Sequence, residues 1–274
     1  MSLKSVSTWS LHHTLGSYVA EDSEVAMGMA TPAGRPAGLD LLDLPAELAA
    51  RGFDTIQICH FHLPSRDAGY LAELRAALTA ARLHLDCLLV DAGDLTDPHE
   101  ADRHQRWIGG WLTDAAALGA QRVRVIAGKS PPTPERLATS ADRLRRLAED
   151  HPEVRVVTEN WFALLPDAAS VHALLDRMEG TVGFLVDLGN WTGPDTYDQL
   201  SAVAGLAETC HAKAHHVGHR MDVEDYRRKL SVLRDASFAG PLALVYDGPD
   251  RDEWAGLERE HEVTLAVFAA DRPV

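Results

Sequence analysis

Short runs of apolar and β-branched residues recur along the whole chain, and turn-forming residues separate them. Their length and composition are typical of buried strands. The predicted strands are residues 4–9, 54–59, 84–90, 122–127, 154–159, 182–187, 208–214 and 242–247.

Segments rich in Ala and Leu lie between these runs, and their apolar residues recur at helical spacing. Turn or cap residues precede them, and Gly, His or Pro stands near their ends. The predicted helices include residues 41–51, 70–82, 101–118, 134–150, 168–178 and 223–236. Alternation of strand and helix predicts a parallel sheet, and about eight strands close a single (β/α)8 TIM barrel, here over residues 1–274.

One long segment interrupts this alternation. Residues 16–40 follow the first strand and are rich in Gly, Pro and Ala. In a barrel such a loop lies on the C-terminal face, where it is either a lid over the site or a disordered or decorative insertion.

Composition and charge narrow the function classes. The 274 residues are 46% hydrophobic and 24% charged, as in an ordinary globular protein, so length alone allows two domains or one α/β barrel. Asp and Glu outnumber Lys and Arg by 41 to 26, and the formal net charge of −15 disfavours nucleic acid as a partner.

The three cysteines are widely spaced in apolar runs, as expected of buried thiols in a reducing compartment. The sequence shows no signal peptide and no run of about 18 apolar residues. The expectation is therefore a cytoplasmic protein without a membrane partner, and base rates favour a homodimer.

Four residues of metal-binding type stand at or near the ends of successive predicted strands: Glu159, Asp187, His211 and Asp247. The ends of parallel barrel strands share one rim, so these side chains converge there. Alternation along the strands directs Asp187, His211 and Asp247 toward the barrel axis, and bulky neighbours toward the helices.

Three carboxylates at one rim would repel each other unless a cation neutralised them, and a divalent metal ion is the natural cation. Three oxygen ligands and one imidazole favour Mn²⁺ or Mg²⁺, and Zn²⁺ or Co²⁺ also fits. A single Asp after a strand is usually a cap on the next helix, but four consecutive strand ends favour a metal site.

The same strand ends carry motifs that resemble those of the sugar phosphate isomerase/epimerase superfamily, the xylose-isomerase-like TIM barrels. The motifs are Glu-Asn after the fifth strand, Asp-Leu-Gly-x after the sixth, His-x-Lys on the seventh and Gly-Pro-Leu-x-x-x-Tyr-acid on the eighth, with Ser-Thr-Trp-Ser-Leu near the start. The resemblance implies a single divalent metal ion held by Glu159, Asp187, His211 and Asp247. It also implies that Glu159 and Asp247 move protons.

The chain departs from the family pattern at three positions. Family epimerases usually carry Glu where this chain has Asp247 and His where it has Asn190, and Ala214 replaces the Asp that usually follows Lys213. Asp247 is one methylene shorter than Glu, so its role as a ligand is better supported than its role in proton transfer. The Asn190 amide can hydrogen-bond a substrate hydroxyl, but it cannot be protonated.

The expected reaction is isomerisation or epimerisation of a sugar, ketose or related polyol. A carbonyl and a neighbouring hydroxyl would chelate the metal ion, and Glu159 and Asp247 would flank the adjacent carbon. The proton would then move through a metal-stabilised enediolate. Lys213 would stabilise the enediolate or contact a substrate anion, unless it forms a structural ion pair.

Other residues near the rim are weaker candidates for substrate contact. His60 and His62 follow the second strand and would contact substrate or a second metal ion, with a structural role as the alternative. Trp9 and Trp161 would form an apolar wall against a sugar face, or else pack in the core.

Two further groups of polar residues stand out. Arg122 and Arg124 share one strand face, and if it points inward they need acidic partners or an anionic ligand. A misread strand register is the alternative. His215, His216 and His219 occupy a turn-like stretch and are further candidates for substrate contact.

Three other functions share much of this pattern. A keto-inositol-type dehydratase also abstracts a proton next to a carbonyl and differs in the fate of the enolate. An AP-endonuclease-like hydrolase needs extra His and acidic ligands for zinc and a basic DNA-facing surface, which the net charge of −15 opposes. The changes at Asn190 and Asp247 also permit a barrel that binds sugar without catalysis. Since no P-loop or Gly-rich phosphate motif is present, a free sugar is at least as plausible as a phosphate ester.

Overall fold

Ten short strands occur in the residues that the computed structural model describes, which are 4–16 and 38–269. They are β1 (Ser5–Ser7), β2 (Thr55–Cys59), β3 (His84–Val90), β4 (Arg122–Val125), β5 (Arg155–Glu159), β6 (Gly183–Asp187), β7 (Ala207–Ala212), β8 (His216–Val217), β9 (Arg220–Met221) and β10 (Leu242–Leu244). Eight of them close into a parallel barrel in the order β1, β10, β7, β6, β5, β4, β3, β2, and β8 and β9 form a separate antiparallel hairpin.

Helices follow the barrel strands and cover the outside of the sheet. They are α1 (His12–Leu15), α2 (Leu44–Ala50), α3 (Ala68–Ala80), α4 (Ala101–Leu118), α5 (Pro134–Asp150), α6 (Ala168–Asp176), α7 (Thr196–Val203), α8 (Val223–Asp235) and α9 (Glu253–Ala269). Short 3-10 turns span Thr8–Leu11, His60–His62 and Ala204–Leu206. None of the described helices is both long and apolar enough to cross a bilayer.

The TIM barrel expected from the sequence is confirmed, and α4 and α5 begin and end at the predicted residues. The last strands are shorter than the apolar pattern suggests, because β7 ends at Ala212 and β10 ends at Leu244. Asp247 therefore lies in the loop beyond its strand. This difference changes its position relative to the other candidate ligands.

The predicted helix list does not include α7 and α9. The inner face of α9 carries Glu260 and Thr264, which are fully buried and interrupt the apolar spacing of that helix. Helix α7 is a short element of eight residues with a polar first turn. Neither segment gives a strong periodic signal.

The core has two layers that follow the alternation of side chains along the strands. Phe184 and Val186 of β6 pack outward against the helices, whereas Leu185 packs inside the barrel. The small interior cluster consists of Cys59, Cys87, Leu89, Val157 and Leu185, with Trp9 and Phe61 against it. All three cysteines are buried and free, as the sequence predicts. Side chains two residues apart on a strand point the same way, so Asp187 points inward like Leu185 and lies in the barrel mouth.

The long segment at residues 16–40 falls mostly outside the described residues, since 17–37 are not among them. At its described ends, the backbone N–H of Leu39 donates to the carbonyl of Thr14 at 2.7 Å. The two ends of the segment are thus held side by side. Its role as a lid or an insertion stays a prediction.

Gly240, just before β10, lies against the backbone of β7. A Cβ at this position would lie 2.2 Å from the carbonyl oxygen of Glu208, so the backbone would have to move. We expect Gly240→Ala to lower the free energy of unfolding by roughly 1–3 kcal/mol, as overpacking does elsewhere. Gly205→Ala is the matched control, because nothing lies within 4 Å of its added Cβ. Urea unfolding compares the two variants, and equal stability would contradict the predicted close packing.

Candidate functional site

Three of the four candidate ligands lie together at the C-terminal mouth of the barrel. Glu159 ends β5, Asp187 ends β6, and His211 is paired in register with Asp187 on β7. One ligand atom from each residue lies within 4.8 Å of the other two, and all three side chains are buried. This group is able to surround one cation.

An amide fixes the position of Asp187 relative to Glu159. The Asn160 side chain accepts a hydrogen bond from the backbone N–H of Asp187 at 2.7 Å and donates to its carbonyl at 3.0 Å. Asn160 directly follows Glu159, so this pair of bonds joins the ends of β5 and β6. The Asp187 carboxylate also accepts from the N–H of Gly189 at 2.5 Å, which orients it in the mouth.

The orientation of His211 fits a metal ligand. Its Nδ1 lies 3.4 Å from Glu159 Oε1 and 3.4 Å from Asp187 Oδ2. Its Nε2 lies 2.7 Å from Gln57 Oε1, and the Gln57 amide donates to Asp86 at 2.8 Å and to Thr209 at 3.0 Å. Because the Gln57 oxygen can only accept, Nε2 carries the proton and leaves Nδ1 toward the carboxylates. A hydrogen bond of this kind orients metal-binding histidines in general.

The carboxylates dominate the electrostatics of the mouth. Burial disfavours the charged imidazole of His211, but the adjacent Glu159 and Asp187 outweigh burial and raise its pKa to about 9. Burial would also raise the pKa of Asp187, yet the His211 and Lys213 side chains hold it below its usual value. The site therefore attracts positive charge, whether a proton or a metal ion.

Asp247 lies apart from this group. Its carboxylate pairs with Lys213 Nζ at 2.8 Å and is 47% exposed. Burial lowers the pKa of Lys213, but Asp187 and Asp247 outweigh that effect and raise it. The structure thus places Lys213 between a buried carboxylate and an exposed one. The roles of Asp247 as a fourth ligand and in proton transfer stay predictions.

A cavity of about 50 Å³ opens above the three buried candidate ligands. The candidate substrate contacts Trp9, Trp161, Asn190 and Lys213 all line it. Asn190 donates its amide N–H to Glu159 Oε1 at 2.8 Å. These four side chains are therefore close enough to the candidate ligands to touch the same small molecule.

His60 and His62 have partners inside the protein and do not line this cavity. His62 is fully buried, with Nδ1 at 2.9 Å from Thr8 Oγ1 and Nε2 at 3.2 Å from His12 Nδ1. Burial lowers the pKa of His62 to about 3, so it is neutral. The His60 ring packs edge-on against Trp107 and Trp111. These positions favour the structural alternative over substrate contact.

Arg124 and Asp91 belong to the site; the sequence indicated acidic partners for an inward-pointing Arg124, but it did not identify Asp91 as one of them. The Arg124 guanidinium forms an ion pair with Asp91 and lies 2.9 Å from Glu159 Oε2, and all three side chains are buried. It also lies 4.9 Å from the ring centre of Trp161. Arg122 pairs with Asp86 at 2.5 Å, so both arginines point inward toward acidic partners. Asp91 begins the Asp-Ala-Gly that directly follows the third predicted strand, and this position could have identified it as a residue of the barrel rim.

A family model described as the xylose isomerase-like TIM barrel matches residues 45–266. The chain belongs to this family. None of the curated proteins matches the sequence significantly.

Several solved structures share this fold at low sequence identity. D-psicose 3-epimerase from Clostridium cellulolyticum H10, solved with D-tagatose, is 15% identical with a TM-score of 0.66 over 85% of this chain and 93% of that one. A xylose isomerase-like TIM barrel protein from Mycobacterium smegmatis, solved with magnesium, is 13% identical with a TM-score of 0.68 over 97% and 96%. The probable 3-DHS dehydratase AsbF from Bacillus anthracis is 15% identical with a TM-score of 0.68 over the full length of both chains.

The donor set predicts that a divalent ion stabilises the fold. We expect Mn²⁺ to raise the Tm of the wild-type protein, because an ion that binds only the folded state stabilises it. Asp187→Asn should abolish this rise, and Gln57→Met should weaken Mn²⁺ binding by roughly 10–100-fold through loss of His211 orientation. The exposed Asp142→Asn is the control. A Tm unchanged by Mn²⁺, Mg²⁺, Zn²⁺ and Co²⁺ would contradict the metal site.

The buried position of Arg124 predicts a large effect on stability. Arg124→Met leaves Asp91 and Glu159 without their shared cation, so we expect a loss of roughly 3–5 kcal/mol in the free energy of unfolding. Arg145→Met removes a half-exposed arginine 4.0 Å from Asp142 and should cost less than about 1 kcal/mol. Urea denaturation without added metal measures both values. Similar losses in the two variants would show that the buried ion pairs contribute little.

Proposed function

We propose that the protein is a metal-dependent isomerase or epimerase of a sugar, ketose or related polyol. The observation that carries this proposal is the buried group of Glu159, Asp187 and His211 at the base of a cavity with aromatic and polar walls. The similarity to a D-psicose 3-epimerase supports the same class of reaction.

Glu159, Asp187 and His211 would hold the metal ion, with Asp247 as the proposed fourth ligand. Their oxygen-rich donor set favours Mn²⁺ or Mg²⁺, and the similar protein solved with magnesium supports that choice. When bound, the ion supplies polarisation of the substrate carbonyl, which acidifies the neighbouring C–H bond.

Glu159 is the proposed base at the floor of the cavity. Asn190 donates to its Oε1, and Arg124 lies at its Oε2, so both oxygens are oriented by contacts with neighbouring side chains. Glu159 would remove the proton from the carbon next to the carbonyl and leave an enediolate.

Lys213 and Asp247 would act at the mouth of the same cavity. The Lys213 ammonium lines the cavity, where its positive charge would stabilise the negative oxygen of the enediolate. Asp247 is bonded to that ammonium and is half exposed, so it would take up a proton from solvent and return it to the opposite face of the carbon, which inverts the carbon. Glu159 would then release its own proton to solvent. If Glu159 returns the proton to the neighbouring carbon instead, the product is the aldose–ketose isomer.

Trp9 and Trp161 would bind the apolar face of the substrate and keep water from the enediolate. Both rings line the cavity, and Trp161 is held next to Arg124.

A dehydratase is the second candidate, because the same proton abstraction followed by loss of a hydroxyl gives an unsaturated product. The similarity to a probable 3-DHS dehydratase over the full chain supports this second candidate.

Exchange of solvent deuterium into a panel of ketoses tests the proposal. With Mn²⁺ or Mg²⁺ present, the wild-type protein should incorporate deuterium next to the carbonyl of at least one ketose. Glu159→Gln should reduce the rate by roughly 10²–10⁴-fold, as expected when a general base is removed. Glu149→Gln is the matched control, because this side chain is exposed on α5.

Full exchange activity in Glu159→Gln would refute the role of this residue. No exchange with any ketose by a metal-loaded wild-type protein would refute the reaction and favour a barrel that only binds sugar. Product analysis by NMR separates epimer, isomer and dehydration product.

A further inference from the structure

A second depression lies beside the metal cavity, between the loops that follow β5 and β6. It is an open groove of about 540 Å³. Trp161 and Asn190 line both the groove and the cavity, so the two spaces share a wall. A molecule in the cavity that extends past these residues would therefore enter the groove.

The walls of the groove combine aromatic rings with acceptors for hydrogen bonds. Trp161, Phe162 and Trp191 are its aromatic residues, and Asp167, Asp195 and Gln199 supply oxygen atoms. The Trp161 and Phe162 ring centres are 4.2 Å apart. The described lining residues include no Lys or Arg. This chemistry suits a neutral polyhydroxylated ring, because its C–H faces pack on aromatic surfaces while its hydroxyls donate to carboxylates and amides.

The backbone after Glu159 turns sharply and places the aromatic pair on this wall. The Trp161 N–H donates to the Glu159 carbonyl at 2.7 Å, and Phe162 has a φ of 57°. A bulky residue rarely adopts this left-handed conformation, and such strain is concentrated at binding sites. The turn connects the proposed base directly to the groove.

The sizes of the two spaces indicate that a substrate extends from the cavity into the groove. Ligand pockets commonly measure about 300–1,000 Å³. The groove, at about 540 Å³, lies in that range, whereas the cavity, at about 50 Å³, lies far below it. The groove adds space on the side that Trp161 and Asn190 border.

We propose that the groove binds the second ring of a neutral glycoside or disaccharide whose carbonyl-bearing end reaches the candidate metal ligands in the cavity. This proposal rests on the proposed function, since it extends the substrate of that same site. Trp161 and Phe162 would pack on the second ring, and the exposed Asp195 would accept from its hydroxyls.

A phosphate in the groove is disfavoured by its charge. Asp167 and Asp195 would repel a phosphate ester, and the Lys129 ammonium beside Phe162, 5.3 Å from the ring centre, is not a lining residue. The groove is therefore assigned to a neutral ring, and a sugar phosphate becomes an outcome of the test.

Calorimetric binding in the presence of Mg²⁺ tests the assignment. The probes are fructose, fructose 6-phosphate, and the disaccharides turanose, leucrose and isomaltulose, which contain a fructose unit. We expect at least one disaccharide to bind about tenfold or more tightly than fructose, the gain of a single aromatic contact. Thr192→Trp, which fills the groove, should remove that gain and leave fructose binding within about twofold.

Two further variants keep the result interpretable. Thr139→Trp places the same bulk on an exposed position of α5 and should change neither ligand. Asp195→Ala deletes a carboxylate that makes no cap hydrogen bond, so it should fold normally and weaken only the disaccharide. This variant decides the matter if Thr192→Trp does not fold.

The proposal fails if every disaccharide binds no more tightly than fructose, if both groove variants weaken fructose and disaccharide equally, or if fructose 6-phosphate binds best. Deuterium exchange into fructose without any disaccharide preference would leave the proposed reaction standing and remove only the groove assignment. Disaccharide binding that depends on the groove, without exchange into any probe, would instead remove the proposed reaction.

Discussion

The repulsion among carboxylates at the mouth of the barrel is the constraint on which the rest of the site depends. Among the described residues, Asp91, Glu159, Asp187 and Asp247 are balanced by two permanent cations, Arg124 and Lys213. With His211 neutral, two negative charges remain, which is the charge that one divalent ion neutralises. Without an ion, the carboxylates instead raise the pKa of His211 to about 9 and hold a proton there.

The two cations act at different depths. Arg124 is fully buried and bridges Asp91 to Glu159, which ties the end of β3 to the end of β5. Lys213 bridges toward the rim, where it meets Asp247. Each cation thus holds one acid of the buried group and one acid outside it.

Neutral amides supply the geometry that the charges alone would not fix. Asn160 joins the ends of β5 and β6, and Gln57 orients the imidazole of His211. Amides add hydrogen bonds without changing the charge balance. The loop after β6 is fixed from the other side, since His215 Nε2 lies 3.1 Å from the Gly189 carbonyl and the buried Lys229 lies 3.3 Å from His215 Nδ1. His215 thus has a structural contact as well as a place near the rim.

The sequence predicted the barrel and the convergence of three candidate ligands at its mouth because both follow from periodicity. Alternation sets the inward face of each strand, and parallel strands end on one rim, so Asp187 and His211 were located without knowledge of the contacts. Asp247 shows where periodicity stops: the apolar run continues past Leu244, but the hydrogen-bonded strand does not. Pairings across strands, such as Arg124 with Asp91, depend on the register between β3 and β4. This register cannot be read from a single sequence.

Asn190 connects the charge balance to the shape of the site. At the position where family epimerases usually carry His, this chain has an amide that donates to Glu159 and lines both the cavity and the groove. A protonated imidazole there would add positive charge beside Glu159 and reduce the excess of negative charge that favours a divalent ion. The amide orients the same carboxylate without that cost, and it leaves the passage toward the groove free of a cation. Asn190 is therefore consistent both with a negatively charged group at the base of the cavity and with the passage of an uncharged ring between the cavity and the groove.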